Sequence, residues 1–133
     1  LDLTAAINEP FCLVPGDRGG IPTGIIVEIP PGYEGQVRAR SGLAAKAGIA
    51  LTNGVGTIDS DYRGEIIVLV VNLGKETYTF QPGERIAQLL ISPVLQVLIE
   101  EVEAVDAGGD RGTGGFGSTG RIHIGNQAAG KTV

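Results

Sequence analysis

"GEIIVLVVNLG", residues 64–74, decides the architecture. Ile66, Ile67, Val68, Val70 and Val71 are β-branched and glycines bracket the run, so it reads as a core strand. Outward from it the same texture repeats. "GIIVEIP" (24–30), "GQVRAR" (35–40), "ETYTF" (76–80), "RIAQLLISPV" (85–94) and "LQVLIEEVEAV" (95–105) are further strand candidates. "VPGDRGG" (14–20), "IPPGYEG" (29–35) and "FQPGER" (80–85) separate them with turn chemistry, proline presetting one dihedral and glycine accepting the next. "SGLAAKAGIA" (41–50) has the composition of a helix, which glycines at 42 and 48 limit to a turn or two. "VEAVDAGG" (102–109) reads as a fraying end. The spacing predicts an all-β domain, a sandwich or a closed, barrel-like jelly roll.

The totals agree. A chain of 133 residues that is 42% hydrophobic and 19% charged has the size and composition of one globular domain. Its 22 glycines follow no three-residue period, which excludes collagen and suits many tight turns. A net charge of -5 argues against non-specific binding to a nucleic-acid backbone, which needs clustered Lys and Arg. It leaves room for a nucleotide, because Arg40, Arg63, Arg85 and Arg111 are candidates to neutralise phosphates locally. Cys12 is the one cysteine, so no intrachain disulfide forms; the residue reads as a small buried hydrophobe, and a reducing, cytoplasmic type of compartment is expected. No run reaches the length of a membrane-spanning helix, no secretory signal is visible, and no membrane partner is expected. The chain lacks methionine and opens "LDLTAA", so a trimmed or partial start is expected, with a first strand lost to view.

Chemistry is concentrated in four places. In "GTIDSDYRGEI" (56–66) two carboxylates stand at i and i+2; on an extended strand Asp59 and Asp61 would share one face, while a solvated turn is the plainer reading. In "RARSGLAAKAG" (38–48) a guanidinium, a hydroxyl and an unobstructed N–H follow one another at Arg40, Ser41 and Gly42, a set that suits phosphate oxygens; Ser41 as a helix N-cap is the compatible structural reading. Gln88 interrupts the apolar run "RIAQLLI", where a buried amide must find partners in the core or reach a phosphate. "RGTGGFGSTG" (111–120) matches G-x-G-x-x-G mechanically, but no βαβ unit surrounds it, and the 16 residues after Gly117 are too few to hold the acidic ribose partner. What remains is a flexible glycine-rich anion-binding arm, with residues 121–133 a weakly ordered tail. His123, the only histidine, falls in that tail, which leaves no histidine-based triad and no zinc pattern.

Five stretches together resemble the trimeric dUTP pyrophosphatase (dUTPase) family: "LDL" (1–3), "RSGLAAKAG" (40–48), "NGVGTIDSDYRGEI" (53–66), "GERIAQLLI" (83–91) and "RGTGGFGSTG" (111–120). They occur in the family's order and cover nearly the whole chain. The resemblance implies a distorted jelly-roll subunit over residues 1–110, a closing arm over 111–120, and a homotrimer whose active sites are shared between chains. It implies hydrolysis of dUTP to dUMP and pyrophosphate with Mg2+ held mainly by substrate phosphates and water. Asp59 matches the water-activating aspartate. Asn53 matches a uracil-pocket residue, and the backbone of the 49–58 region, with Gly56, Thr57 and Ile58, would read the uracil edge. Tyr62 matches the ring beneath deoxyribose, where a 2′-hydroxyl is excluded. Arg40, Ser41, Gly42 and Gln88 match phosphate contacts. Arg111, Gly114, Gly117, Ser118 and Thr119 match the arm, whose Phe116 would stack on uracil. Asp2 matches a supporting acid near metal and water, and Asp61 stays open between substrate and a role in holding the sheet or an arginine.

The family has a strand ahead of its first-motif aspartate, whereas only Leu1 precedes Asp2 here. Two alternatives share the fold: a dCTP deaminase or bifunctional deaminase–pyrophosphatase, and a non-catalytic nucleotide-binding module. The first wants a glutamate near the amino group in the pocket segment; the second would tolerate loss of Asp59 or of the arm.

Overall fold

In chain order the elements are β1 (Asp2–Thr4), β2 (Phe11–Leu13), β3 (Arg18–Pro22), β4 (Tyr33–Ala39), α1 (Ser41–Ala47), β5 (Ile49–Leu51), β6 (Gly56–Ile58), β7 (Ile67–Asn72), β8 (Tyr78–Phe80) and β9 (Arg85–Pro93). They come from a computed structural model that describes residues 1–105, 108, 112 and 114. All of them lie in a unit spanning Leu1–Val97; a second unit spans Leu98–Val133. The described residues 98–105 of that second unit carry no regular element and are exposed.

Every strand pair is antiparallel. One sheet has the order β1-β9-β4-β6, a second is β3-β7-β5, and β2 pairs with β8. This is the all-β, jelly-roll-like subunit that the strand spacing predicts, although hydrogen bonding among the described residues leaves three sheets rather than one closed barrel. The central run behaves as period-two geometry requires. Val68, Val70 and Asn72 of β7 point inward and are fully buried, while Ile67 and Leu69 point outward and stay partly exposed. Leu3, Ile21, Ile66, Phe80 and Ile86 are the other largest side chains of the buried core. Each such large side chain contributes about 1.5–3 kcal/mol by leaving water. Buried Asn72 is satisfied: its amide donates to the carbonyls of Leu13 (2.8 Å) and Glu76 (2.9 Å) and accepts from the Gly74 N–H (2.9 Å).

α1 buries no residue completely and is too short to stand alone; Leu43 and Ala47 rest on the core. Gly48 ends it in the left-handed region at φ 70, its N–H returning to the Ala44 carbonyl. A Cβ there would lie 2.5 Å from the Gly74 nitrogen, so both conformation and space demand glycine. No helix among the described residues is long and apolar enough to cross a membrane.

Several sequence expectations change. "GIIVEIP" (24–30) is not a strand: Ile25 accepts one bond from the Ile66 N–H (2.9 Å), and Pro30 and Pro31 offer no donor to extend a ladder. "LQVLIEEVEAV" (95–105) forms no element either, and its apolar Leu95, Leu98 and Ile99 are almost wholly exposed. Within "VPGDRGG" (14–20) the turn is confined to its middle, and Arg18–Gly20 already belong to β3. Cys12 is exposed, not buried, because Leu13 takes the inward position of β2; its Sγ lies 3.5 Å from Thr79 Oγ1. Arg40, not Ser41, is the N-cap of α1, and no side chain caps the helix.

Candidate functional site

β6 is the edge strand of the larger sheet. On its inner side Gly56, Thr57 and Ile58 pair with Val37, Gln36 and Gly35 of β4. Among the described residues no strand pairs with its outer side, and a cavity of about 250 Å³ opens there. Its polar lining is Asn53, Thr57, Asp59, Tyr62 and Glu65; its apolar wall is Val37, Leu51, Ile58, Ile67 and Leu69. The outward apolar residues of β7 thus form one wall of the cavity. A Cβ on Gly56 would stand 3.2 Å from Asn53 Nδ2, which puts the Asn53 amide against the β6 backbone. An unpaired strand edge beside an amide and a flat apolar wall can hydrogen-bond a planar heterocycle as a partner strand would.

The segment after β6 turns instead of extending. Residues 60 and 61 form the turn, closed by the Tyr62 N–H donating to the Asp59 carbonyl (3.1 Å). Asp59 and Asp61 therefore do not share a strand face. Asp59 lines the cavity; Asp61 lines a neighbouring hollow of about 450 Å³ with Gly32, Tyr33 and Glu34, on which Asp59 also borders. Arg63 donates through Nη1 to the carbonyls of Ser60 (2.7 Å) and Tyr62 (2.9 Å), with Glu28 at 4.0 Å from its Nη2. It braces the turn, so it is not presented as a phosphate ligand. The Tyr62 ring lies over Gly64, where a Cβ would come within 2.5 Å of Cζ, and its hydroxyl donates to the Glu65 carbonyl (2.9 Å).

A second polar group forms on the larger sheet. Register pairs Gln88 of β9 with Asp2 on one side and Arg38 on the other. Gln88 is not a buried amide: Ala87 and Leu89 take the inward positions, and Gln88 faces out. Its Nε2 donates to Asp2 Oδ1 (3.2 Å), and Arg85 Nη1 reaches Asp2 Oδ2 (3.3 Å). Arg40 Nη1 donates to the Arg85 carbonyl (2.8 Å), which brings the head of α1 to the same place; Ser41 and Gly42 follow it, exposed. The Gln88 amide is the largest influence and holds the Asp2 carboxyl below the usual range; desolvation, next in size, opposes it, and the Arg85 hydrogen bond and the charges of Arg40 and Arg85 add to the lowering.

None of Asp2, Arg40, Ser41, Gly42 and Gln88 lines the Asp59 cavity. Of the predicted arm residues, Gly114 is described and partly exposed, while Arg111, Phe116, Gly117, Ser118 and Thr119 lie outside the described residues. Sequence reasoning missed Glu65 and the wall formed by Val37, Leu51, Ile67 and Leu69 as cavity residues. The apolar outward positions of β7 were the available signal, since a strand with one wet face should alternate. Among the described residues no group of three or more His, Cys, Asp or Glu could hold a metal ion.

An all-β fold with a strand-edge cavity, an adjoining carboxylate and a separate basic group has the features a nucleotide-handling protein needs. Comparison makes this specific. The family model described as dUTPase matches residues 1–120. A deoxyuridine 5'-triphosphate nucleotidohydrolase of Anaeromyxobacter sp. (strain Fw109-5) is 57% identical over 91% of this chain and 80% of its own length. That of Methylocella silvestris is 53% identical over 94% and 79%. Among solved structures, a mutant Staphylococcus bacteriophage 80alpha dUTPase with dUpNHpp superposes with TM-score 0.80 at 28% identity, covering 90% of this chain and 85% of that one. A mutant dUTPase of phage phi11 of S. aureus, described with a structural Mg(II) ion, gives TM-score 0.70 at 26% identity over 77% and 82%. The chain belongs to the dUTPase family. It is an enzyme, and its reaction is the hydrolysis of dUTP to dUMP and pyrophosphate.

Proposed function

We propose that Asp59 is the general base of this reaction, taking a proton from a water that attacks the α-phosphorus as the bond to pyrophosphate breaks. The observation that carries the reading is the single cavity that joins Asp59 to Asn53, the β6 edge and Tyr62. Asn53 and the backbone of Gly56, Thr57 and Ile58 recognise the uracil edge. Tyr62 packs beneath the deoxyribose, where a 2′-hydroxyl has no room. Arg40, Ser41, Gly42 and Gln88 contact phosphate oxygens, Asp2 orients Gln88 and Arg85 from behind, and Asp61 serves the adjoining turn. The 111–120 arm closes on the nucleotide, with Phe116 over the base and Arg111, Gly114, Gly117, Ser118 and Thr119 on the phosphates, which excludes water from the site. When bound with the triphosphate, Mg2+ supplies charge neutralisation that lets an aspartate work beside phosphates. Positioning and electrostatics carry most of the rate. The dUTP nucleotidohydrolase names of the relatives favour this reading over a deaminase.

A homotrimer belongs to the proposal. The phosphate-suited group and the Asp59 cavity share no lining residue, and assembly of chains is what would join them. A reducing intracellular compartment suits the exposed Cys12 thiol. Pyrophosphate release should be strong from dUTP and weak from dCTP, dTTP and UTP, and chelation of Mg2+ should stop it. Mixing Asp59→Asn with Arg40→Ala chains, each impaired alone, should give activity above either parent through hybrid sites that carry neither substitution. Two variants that each assemble as trimers yet never rescue one another would overturn the shared-site reading.

A further inference from the structure

We propose that Glu65 is a positioning residue for Tyr62, acting through a clamp made by residues 23–25; the inference rests on the reading of Tyr62 as the sugar filter. Tyr62 is exposed on a turn, so something must hold its ring against motion. Among the described residues the ring's polar anchor is the bond from its hydroxyl to the Glu65 carbonyl (2.9 Å). That carbonyl belongs to the planar 65–66 peptide, whose N–H donates the opposite way to the Ile25 carbonyl (2.9 Å). Orientation at one end of the peptide fixes the other.

Three bonds then grip this short stretch from one side. The Gly24 N–H donates to Glu65 Oε1 (2.7 Å), the buried Thr23 hydroxyl donates to the Ile66 carbonyl (2.8 Å), and Ile25 accepts from Ile66. Gly24 presents its N–H from the left-handed region at φ 70. Glu65 thus contributes twice, its main chain accepting from Tyr62 and its carboxylate tying that main chain to residue 24. It also lines the cavity. Segment 23–29, which forms no strand, acquires a purpose: it is the rigid backing of the turn that bears Asp59 and Tyr62. The clamp needs an acceptor at residue 65 rather than a charge, because its donor is a backbone N–H.

The test labels the full chain with 3-fluorotyrosine and follows the Tyr62 resonance, assigned by its loss in Tyr62→Phe. In Glu65→Ala that resonance should move toward the free-tyrosine position and narrow, whereas Glu65→Gln should keep the native shift. A native Tyr62 shift in Glu65→Ala overturns the clamp. In parallel, the dUTP to UTP ratio of kcat/KM should fall roughly fivefold in Glu65→Ala, about the worth of one hydrogen bond, and recover in Glu65→Gln. A released ring with an unchanged ratio would instead sink the sugar-filter reading while leaving the clamp intact. If Glu65→Ala does not fold, Thr23→Ser and Tyr62→Phe decide. The clamp predicts a native Tyr62 resonance in the first, and a released one there overturns it; a wild-type ratio in the second sinks the sugar-filter reading instead.

Discussion

The turn at 59–66 and the Asp2–Arg85–Gln88 group hold functional side chains by opposite means. The turn is built from the main chain: its carbonyls are occupied by Arg63 and Tyr62, and its last residues are bonded to segment 23–25. The second group is built from long side chains across an exposed sheet face, joined by bonds of 3.2 and 3.3 Å. Bonds to a fixed main chain leave little to order when a ligand arrives; exposed side-chain pairs are screened by water and salt and are easily remade. Rigid recognition of a base and sugar suits the first construction. Adjustable contact with phosphate oxygens suits the second.

Substitutions probe that contrast. Asp59→Asn keeps shape and removes the base, so pyrophosphate release should fall on the order of 10²- to 10⁴-fold with melting temperature and oligomeric state unchanged. Residual turnover near wild type would remove Asp59 from the reaction. Arg40→Ala deletes a charged donor from the adjustable group, and kcat/KM for dUTP should drop roughly ten- to a hundredfold, with the loss shrinking as salt rises. A salt-independent loss would mean the guanidinium acts through the fold instead. Gly64→Ala sets a methyl group against the far end of the exposed Tyr62 ring, which can yield toward solvent only by giving up its bond to the Glu65 carbonyl. Thermal stability should hardly change while KM for dUTP rises roughly fivefold; a large loss of stability with unchanged KM would show the ring to be structural.

The smallest effect is acid titration of Asp2. Its carboxyl is held below the usual range by the Gln88 amide first and then by Arg85 and Arg40. A depressed folded value means that this carboxylate adds stability above about pH 4, and that the contribution is lost as pH falls through the lower, folded value. Carbon-13 NMR should show Asp2 titrating below a free aspartate in the wild type and closer to it in Gln88→Ala. An unmoved titration would show that the amide does not hold the carboxylate.

Much of this was legible because it is local. β-branched runs between glycines locate β4, β7, β8 and β9, and a short alanine-rich stretch locates α1. The resemblance to dUTPases, carried by five stretches in order, named Asp59, Asn53 and Tyr62, and one cavity holds all three. The short strands β1, β2 and β3 carry too few residues for a periodic signal, and segment 24–30 has the composition of a strand but no ladder partner.

The sequence by itself determined the fold class and the family and singled out the candidate reacting groups, since these depend on residue type and spacing along the chain. Tertiary structure alone decided which of those groups meet. Whether Gln88 faced the core or solvent depended on the register of β9 with β1 and β4, which brings it to Asp2 from 86 positions away. Whether Asp59 and Asp61 cooperated depended on a turn that one backbone hydrogen bond closes. Whether β6 offered a free edge depended on its place at the end of the sheet order, and the role of Glu65 on a contact with Gly24 across 41 positions. Period and propensity act over a few residues, whereas register, edges and clamps are set by pairings between distant segments that form only when the whole core does.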